Sequence, residues 1–297
     1  MQSLKYAFRF IGASFDLALK HTRLQEPWYT LGLGSLVIIF VWFLPLALVA
    51  GLIGIRPLGM VLIGLLACFT LISLLIWGEV TTLLTAQTFE TLDHTSEPQP
   101  SSLKILGTYG LDIATLALTL PVLRLFYGIK QLLNSKEPST SQTPVWLEAH
   151  TLTLPVIAVE ALSLKDALAR IRQIVQDHLI RFRVGLIKVR LIGILTQVVL
   201  LVGGGVLAFI IGIKIANPQS AGPWQRILAA GVGLLIAWLP TMIGVMFSSY
   251  IQVCYATALY QWVRNIETAR NTDDPALAQP PEILRKVLGS SLRKRER

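Results

Sequence analysis

Four histidines (His21, His94, His150, His178) and two cysteines (Cys68, Cys254) are the side chains of this chain best suited to bind metal or act as nucleophiles. A helical zinc-protease site needs two histidines four residues apart with a glutamate between them. The histidines are scattered, and none meets that spacing. The cysteines fall in separate apolar runs and read as small packing residues, not as a disulfide framework or a metal motif. No phosphate-binding loop, dinucleotide fingerprint or nucleophile elbow is present. Neither a metal nor a cofactor is therefore expected, and catalysis is disfavoured. What remains is acid and phenol chemistry. Ionisable groups at or within a membrane are the default markers of function there. Glu79, Asp112, Glu148 and Glu160 are the nearest such groups to the apolar runs. Glu79, Asp112 and Glu160, with Tyr250, Gln252 and Tyr255, form a candidate polar vestibule opening toward the cytoplasm, to which Tyr260 and Gln261 could add. The plainer readings are a solvated helix end for Glu79, a cap of a helix over 113–123 for Asp112, and a surface position for Glu160.

A second set of residues carries positive charge. Lys5, Arg9, Arg181, Arg183, Lys188, Arg190, Arg293, Lys294 and Arg295 are candidate contacts to anionic lipid, each worth about 1 kcal/mol at a charged leaflet.

The elements that must position these residues are hydrophobic helices. Of the 297 residues 53% are apolar and 14% charged, with a mean hydropathy of +0.61. Soluble domains carry about a quarter charged residues, so much of this surface faces something other than water. Residues 31–54, 58–78, 191–213 and 227–263 are free of charge. At about 1.5 Å per residue, roughly 20 apolar residues cross a hydrocarbon core of about 30 Å. Backbone in lipid must satisfy its own hydrogen bonds, so these runs are expected as helices. The net charge of +9 could suggest nucleic acid, but its distribution argues otherwise. Lys and Arg number 4, 11 and 8 in the N-terminal, central and C-terminal segments, against 1 and 2 in the two short loops. That alternation predicts both termini in the cytoplasm of a bacterial inner membrane and makes lipid, not nucleic acid, the expected partner.

The expected organisation is an N-terminal amphipathic surface helix (1–26), a transmembrane hairpin (27–92), a cytoplasmic or re-entrant segment with a basic helix (93–190), a second hairpin (191–264) and a basic tail (265–297). The N-terminal helix sets Leu4, Phe8, Ile11, Phe15 and Leu19 on its apolar face, and Pro27 is expected to end it. Between 104 and 133 the apolar pattern is short and broken by Pro121, which reads as a re-entrant or surface helix. Ser163 and Asp166 fit a capping box. The fourth run is too long for a bilayer, Pro240 is expected to kink it, and its last third should project into cytoplasm or line an internal surface. A short tail helix from Pro281 with Ile283, Leu284, Val287 and Leu288 reads equally as a membrane-surface contact or a solvated tail. Gly204, Ala208 and Gly212, and Gly233 and Gly244, follow the small-residue spacing of close helix pairs. The fold class is thus all-α: a polytopic helical bundle with four full crossings, or alternatively six.

Trp146, the run Pro155-Val156-Ile157-Ala158-Val159-Glu160, and Ser163-Leu164-Lys165-Asp166-Ala167-Leu168 resemble a bacterial domain-of-unknown-function family of multi-pass membrane proteins. Ala256-Thr257-Ala258-Leu259-Tyr260 and, more weakly, Ser14-Phe15 add to the likeness. The resemblance implies six hydrophobic helices and supplies no activity. The function expected from the residues is that of an accessory, scaffold or assembly component working through a membrane-protein partner, an oligomer or lipid. The alternative is a transport subunit for a lipid or small apolar solute.

Overall fold

The computed structural model describes residues 2–52, 57–93, 102–133, 152–177, 183–215 and 222–286. Among them there is no strand; the chain is helical almost throughout. In order these helices are α1 (Gln2–Lys20), α2 (Glu26–Leu52), α3 (Pro57–Asp93), α4 (Ser102–Leu133), α5 (Thr153–Glu160), α6 (Leu164–Asp177), α7 (Arg183–Ile215) and α8 (Pro223–Thr272). Short 3-10 turns occupy Thr22–Leu24 and Pro275–Ala278. Five of the helices contain stretches long and apolar enough to cross a membrane, and the chain is a multi-pass membrane protein.

Two compact units divide these helices. The second comprises Trp28–Trp77 and Ile192–Ser249, which is where most of the four charge-free runs lie. It is built with large side chains outside and small ones inside. Val37, Val41, Phe69, Leu195, Val199, Val202 and Phe209 are all more than half exposed, a surface suited to lipid tails. Helix contacts are made where side chains are smallest, because lipid provides no hydrophobic drive between helices and close packing must supply the attraction. Gly204 of α7 faces Pro240 of α8 so closely that a Cβ would lie 2.5 Å from the ring's Cγ. Gly244 meets the Cα of Gln197, and a Cβ at Gly233 would sit 3.6 Å from the carbonyl of Ala208. On the other side, Gly34 of α2 receives the indole of Trp77, whose Nε1 donates to the carbonyl of Thr30 at 3.2 Å. Hydroxyls fold back on their own helices: Thr70 donates to Leu66, Thr196 to Ile192 and Thr241 to Ala237. Pro240 lies inside α8, which runs on as one helix to Thr272.

The first unit comprises Met1–Pro27, Gly78–Leu191 and Tyr250–Arg297. Its core is of the ordinary kind. The eight-residue α5 has Thr153, Leu154, Pro155, Val156, Ile157 and Ala158 all buried. At about 12 Å this helix alone is too short to cross a bilayer; residues 146–151 of the same apolar stretch lie outside the described residues. In the same unit are the tails of α3 and α8, whose sides carrying Leu83, Ala86 and Phe89, and Ile251, Cys254 and Ala258, are buried. The last third of the fourth apolar run is therefore an interior helix of this unit.

Three further expectations change. The buried face of α1 is Ala7, Phe10, Ile11, Ser14 and Ala18, while Phe8 and Leu19 are 56% and 75% exposed. Small residues turn that face inward, so α1 packs on its own unit along a stripe one position away from the bulkiest one. Pro27 opens α2 instead of closing α1, because a missing N–H is harmless in a first turn. The region expected as a short, broken helix is a continuous 32-residue α4 with Pro121 inside it. Ile105, Ile113, Leu116 and Leu120 of α4 are buried, and Leu111, Val122 and Phe126 are exposed.

Candidate functional site

The polar side chains of the first unit gather at joints between helices. The most deeply placed is Glu90, 1% exposed on the tail of α3. A buried carboxylate is tolerated only when paired and hydrogen-bonded. α8 supplies both partners from one face, at positions three apart. Arg264 Nη1 lies 3.2 Å from Oε1, and Gln261 Nε2 donates to Oε2 at 2.6 Å. The oxygen of the Gln261 side-chain amide, Oε1, is buried without a hydrogen-bond partner among the described residues. Gln261 also lines a cavity of about 330 Å³ with residues from α1, α3 and the segment after residue 280. The chain just before that segment is tethered to α8 by Trp262 Nε1, which donates to the carbonyl of Ala278, and Asn265, which donates to that of Gln279.

A second joint centres on Arg170 of α6. Its guanidinium contacts Glu267 of α8 and lies 3.6 Å from Glu160 at the end of α5, while the Tyr260 hydroxyl donates to Glu160. The hydrogen bond that Arg170 donates to Glu267 is the main reason the Arg170 pKa is driven still higher than usual, against an opposing effect of burial. Arg170 is thus a fixed cation holding three helices.

A third joint belongs to α4. Asp112 Oδ2 accepts from the backbone N–H of Leu164 at 2.9 Å, and the Tyr109 hydroxyl donates to the carbonyl of Ala161. The carboxylate stands at the N-terminus of α6, where backbone donors are unsatisfied and the helix dipole favours negative charge. Asp112 therefore caps α6 across space; it does not begin its own helix, which starts ten residues earlier at Ser102. The local capping box is also present, with Ser163 Oγ 2.6 Å from Asp166 Oδ2 and Asp166 N donating to Ser163 Oγ at 3.3 Å.

Residues grouped from the sequence as one vestibule are distributed over different joints. Glu160 meets Tyr260, and Asp112 meets α6. Tyr250 donates to the carbonyl of Ser14 at 2.7 Å, and Tyr255 sits edge-on to Phe10 with ring centroids 4.9 Å apart. Glu79 and Gln252 are half-buried. Of the basic lipid-contact candidates, Arg9 is exposed on α1; Lys5, Arg183, Lys188 and Arg190 are on helices without described side-chain surroundings. Arg181, Arg293, Lys294 and Arg295 lie outside the described residues, as do Glu148, His94, His150 and His178. The tail residues Ile283 and Leu284 are buried in the first unit, so this end of the tail helix packs inward.

Sequence reasoning passed over Glu90, Gln261 as its partner, and the Arg170–Glu267 contact. The signal was available at Glu90. Leu83, Ala86 and Glu90 share a helical face, and an acid on an apolar face asks for a partner. Among the described residues no group of three or more His, Cys, Asp or Glu side chains is placed to hold a metal ion. Compared with protein-family models, curated proteins and solved structures, the chain matches none.

Proposed function

We propose that this chain is a non-catalytic protein of a bacterial inner membrane, with both termini cytoplasmic, that acts as an accessory or assembly scaffold through protein and lipid contacts. One observation carries the reading: Glu90, Glu160, Arg170, Arg264 and Glu267 of the first unit are engaged in joining helices, as Glu90–Arg264 and as Glu160–Arg170–Glu267. A side chain bonded at both ends to neighbouring helices stiffens a framework and is poorly placed to react. The second unit supports the same reading. Its hydroxyls Thr70, Thr196 and Thr241 bond back to their own helices, and α7 approaches α8 closely at Gly204 and Gly244. The proposal retains the likeness to the six-hydrophobic-helix family and contact of basic residues such as Arg9 with anionic lipid.

Purification of the full chain in mild detergent tests it. A stable partner at fixed stoichiometry is the expected result. Flux of a lipid or apolar solute through vesicles holding the chain alone would overturn it in favour of transport. The orientation has its own check: single cysteines introduced at positions 56 and 220 should react with an impermeant reagent from outside the cell.

A further inference from the structure

α4 carries one of the five stretches long and apolar enough to cross a membrane, Lys104–Leu123, yet its contacts argue against a crossing. Asp112 stands near the middle of that stretch, and its carboxylate accepts from the N–H of Leu164, the first residue of α6. Were the stretch to span a bilayer, the start of α6 would lie close to the midplane. Lys165 and Asp166 are exposed there, and their charges would face hydrocarbon, where they are most costly. The side of α4 carrying Ile105, Ile113, Leu116 and Leu120 is buried in the first unit. The opposite side, at spacings of three and four, exposes Leu111, Thr115, Leu118, Val122 and Phe126. Its hydroxyls are closed on the helix itself: Thr115 Oγ1 donates to the carbonyl of Leu111 at 2.8 Å, and Thr119 Oγ1 to that of Thr115 at 2.7 Å. Thr70, Thr196 and Thr241 make the same bond on the helices of the lipid-suited second unit. A donor satisfied in this way asks nothing of water.

We infer that α4 lies in the plane of the membrane surface, with the face of Leu111, Leu118 and Val122 sunk into the boundary between headgroups and acyl chains and the opposite face holding the first unit. The charge of the helix fits anionic lipid. Its one acid, Asp112, is taken up by α6. Lys104 is exposed at its start, and Arg124 and Lys130 add two further positive charges along it. An apolar face on a basic helix is the pattern of an interfacial helix. A bilayer is also close at hand, because the chain passes between the first unit and the lipid-suited second unit at four points. A protein partner would accept the leucines and the valine, but it would account for neither the closed hydroxyls nor the excess of positive charge. The inference rests on the membrane assignment alone; neither the scaffold role nor the orientation of the termini enters it.

The test places nitroxide labels on the full chain in nanodiscs of phosphatidylethanolamine and phosphatidylglycerol. Leu111→Cys, Leu118→Cys and Val122→Cys, each in a Cys68→Ala background, offer one reactive thiol on the face, since Cys254 is buried. Arg172→Cys, at an exposed position of α6, is the control. Relaxation by dissolved oxygen and by a water-soluble nickel chelate reports the depth of each label. The three α4 labels should favour oxygen and share one depth, about 5–10 Å below the membrane surface, while the α6 label should favour nickel. A depth changing steadily by about 16 Å between positions 111 and 122, the rise of that length of helix, would overturn the inference in favour of a crossing. Nickel preference at all three α4 positions would place the face in water, and exclusion of both reagents would place a second copy of the chain over it. Oxygen preference at position 172 would remove the argument from α6. Each of these three results also overturns the inference. Partner capture and solute flux are separate measurements, so failure here leaves the proposed scaffold role standing.

Discussion

Gly204 and Gly205 are adjacent on α7 and live in different worlds. Gly204 is buried, and a Cβ there would meet the Pro240 ring at 2.5 Å and the carbonyl of Ala237 at 3.2 Å; Gly205 has nothing within 4 Å. Changing each to alanine adds the same methyl group and the same relief from glycine's helix penalty, about 1 kcal/mol in either case. The difference between the two variants therefore isolates the contact with α8. Neither obstacle yields easily. A proline ring has little freedom, and the carbonyl belongs to the helix backbone, so the helices must move apart. Overpacking of this kind costs about 1–3 kcal/mol. Gly204→Ala should thus be less stable than Gly205→Ala by that amount, a factor of roughly 5 to 150 in the unfolding constant at 1.4 kcal/mol per tenfold. Reversible unfolding of the two variants in mixed micelles, followed by tryptophan fluorescence, gives the comparison directly. Equal stabilities would refute the close approach of α7 and α8 at Gly204.

Other outcomes follow from the joints of the first unit. Asp112→Ala should remove about 1 kcal/mol, the usual value of a helix N-terminal acceptor, and speed hydrogen exchange at the start of α6; unchanged exchange there would show that the Ser163 capping box suffices. Arg170→Ala leaves Glu160 and Glu267 facing each other without a cation. Partial exposure softens the effect, so a loss of about 2–3 kcal/mol is expected, at or below the low end for broken buried pairs. Arg170→Lys, lacking the planar fork, should recover only part of it, and full recovery would argue against the double contact. Glu282 has its carboxyl held below the usual range, chiefly by Lys286. A lowered folded value means the pair's contribution is complete above the unfolded carboxylate value of about 4.3 and disappears as pH falls through the lower folded value. Carbon-13 NMR titration of Glu282 should show this shift, and Lys286→Ala should abolish most of it; a normal titration in the wild type would contradict the pair.

Much of the second unit could be read directly from residues, because lipid permits few solutions. Long charge-free runs have to be helices, and Gly204 and Gly244, two of the small residues spaced for close helix pairs, stand at close approaches of α7 and α8. The first unit was harder. Its helices bury stripes chosen by neighbours distant in sequence, so α1 turns Ala7 and Ser14 inward and leaves Leu19 outside. Local pattern also misread α4, where Pro121 and Asp112 looked like ends and are interior positions of a long helix. For the polar residues, composition identified Glu160 and Asp112 but not their partners. Arg170 and Glu267 are 97 residues apart, and Glu90 and Gln261 are 171 apart; periodicity within one helix carries no information about such pairs. The capping box at Ser163 was legible because all its atoms come from four consecutive residues.

The corner between α5 and α6 has one more implication. Ala161 closes α5 in the left-handed conformation, at φ 52° and ψ 43°, a backbone state that a residue with a Cβ adopts at a penalty of about 1–2 kcal/mol. Its carbonyl is gripped by Tyr109, and the amide of Leu164, three residues on, by Asp112, both reaching across 52 positions. The bend is held by this remote clamp together with local bonds, the Ala161 N–H to the Ile157 carbonyl and the Ser163–Asp166 capping box. Cut from α4, the peptide would relax toward the ordinary basin, so the shape of this corner serves as a gauge of whether α4 is seated.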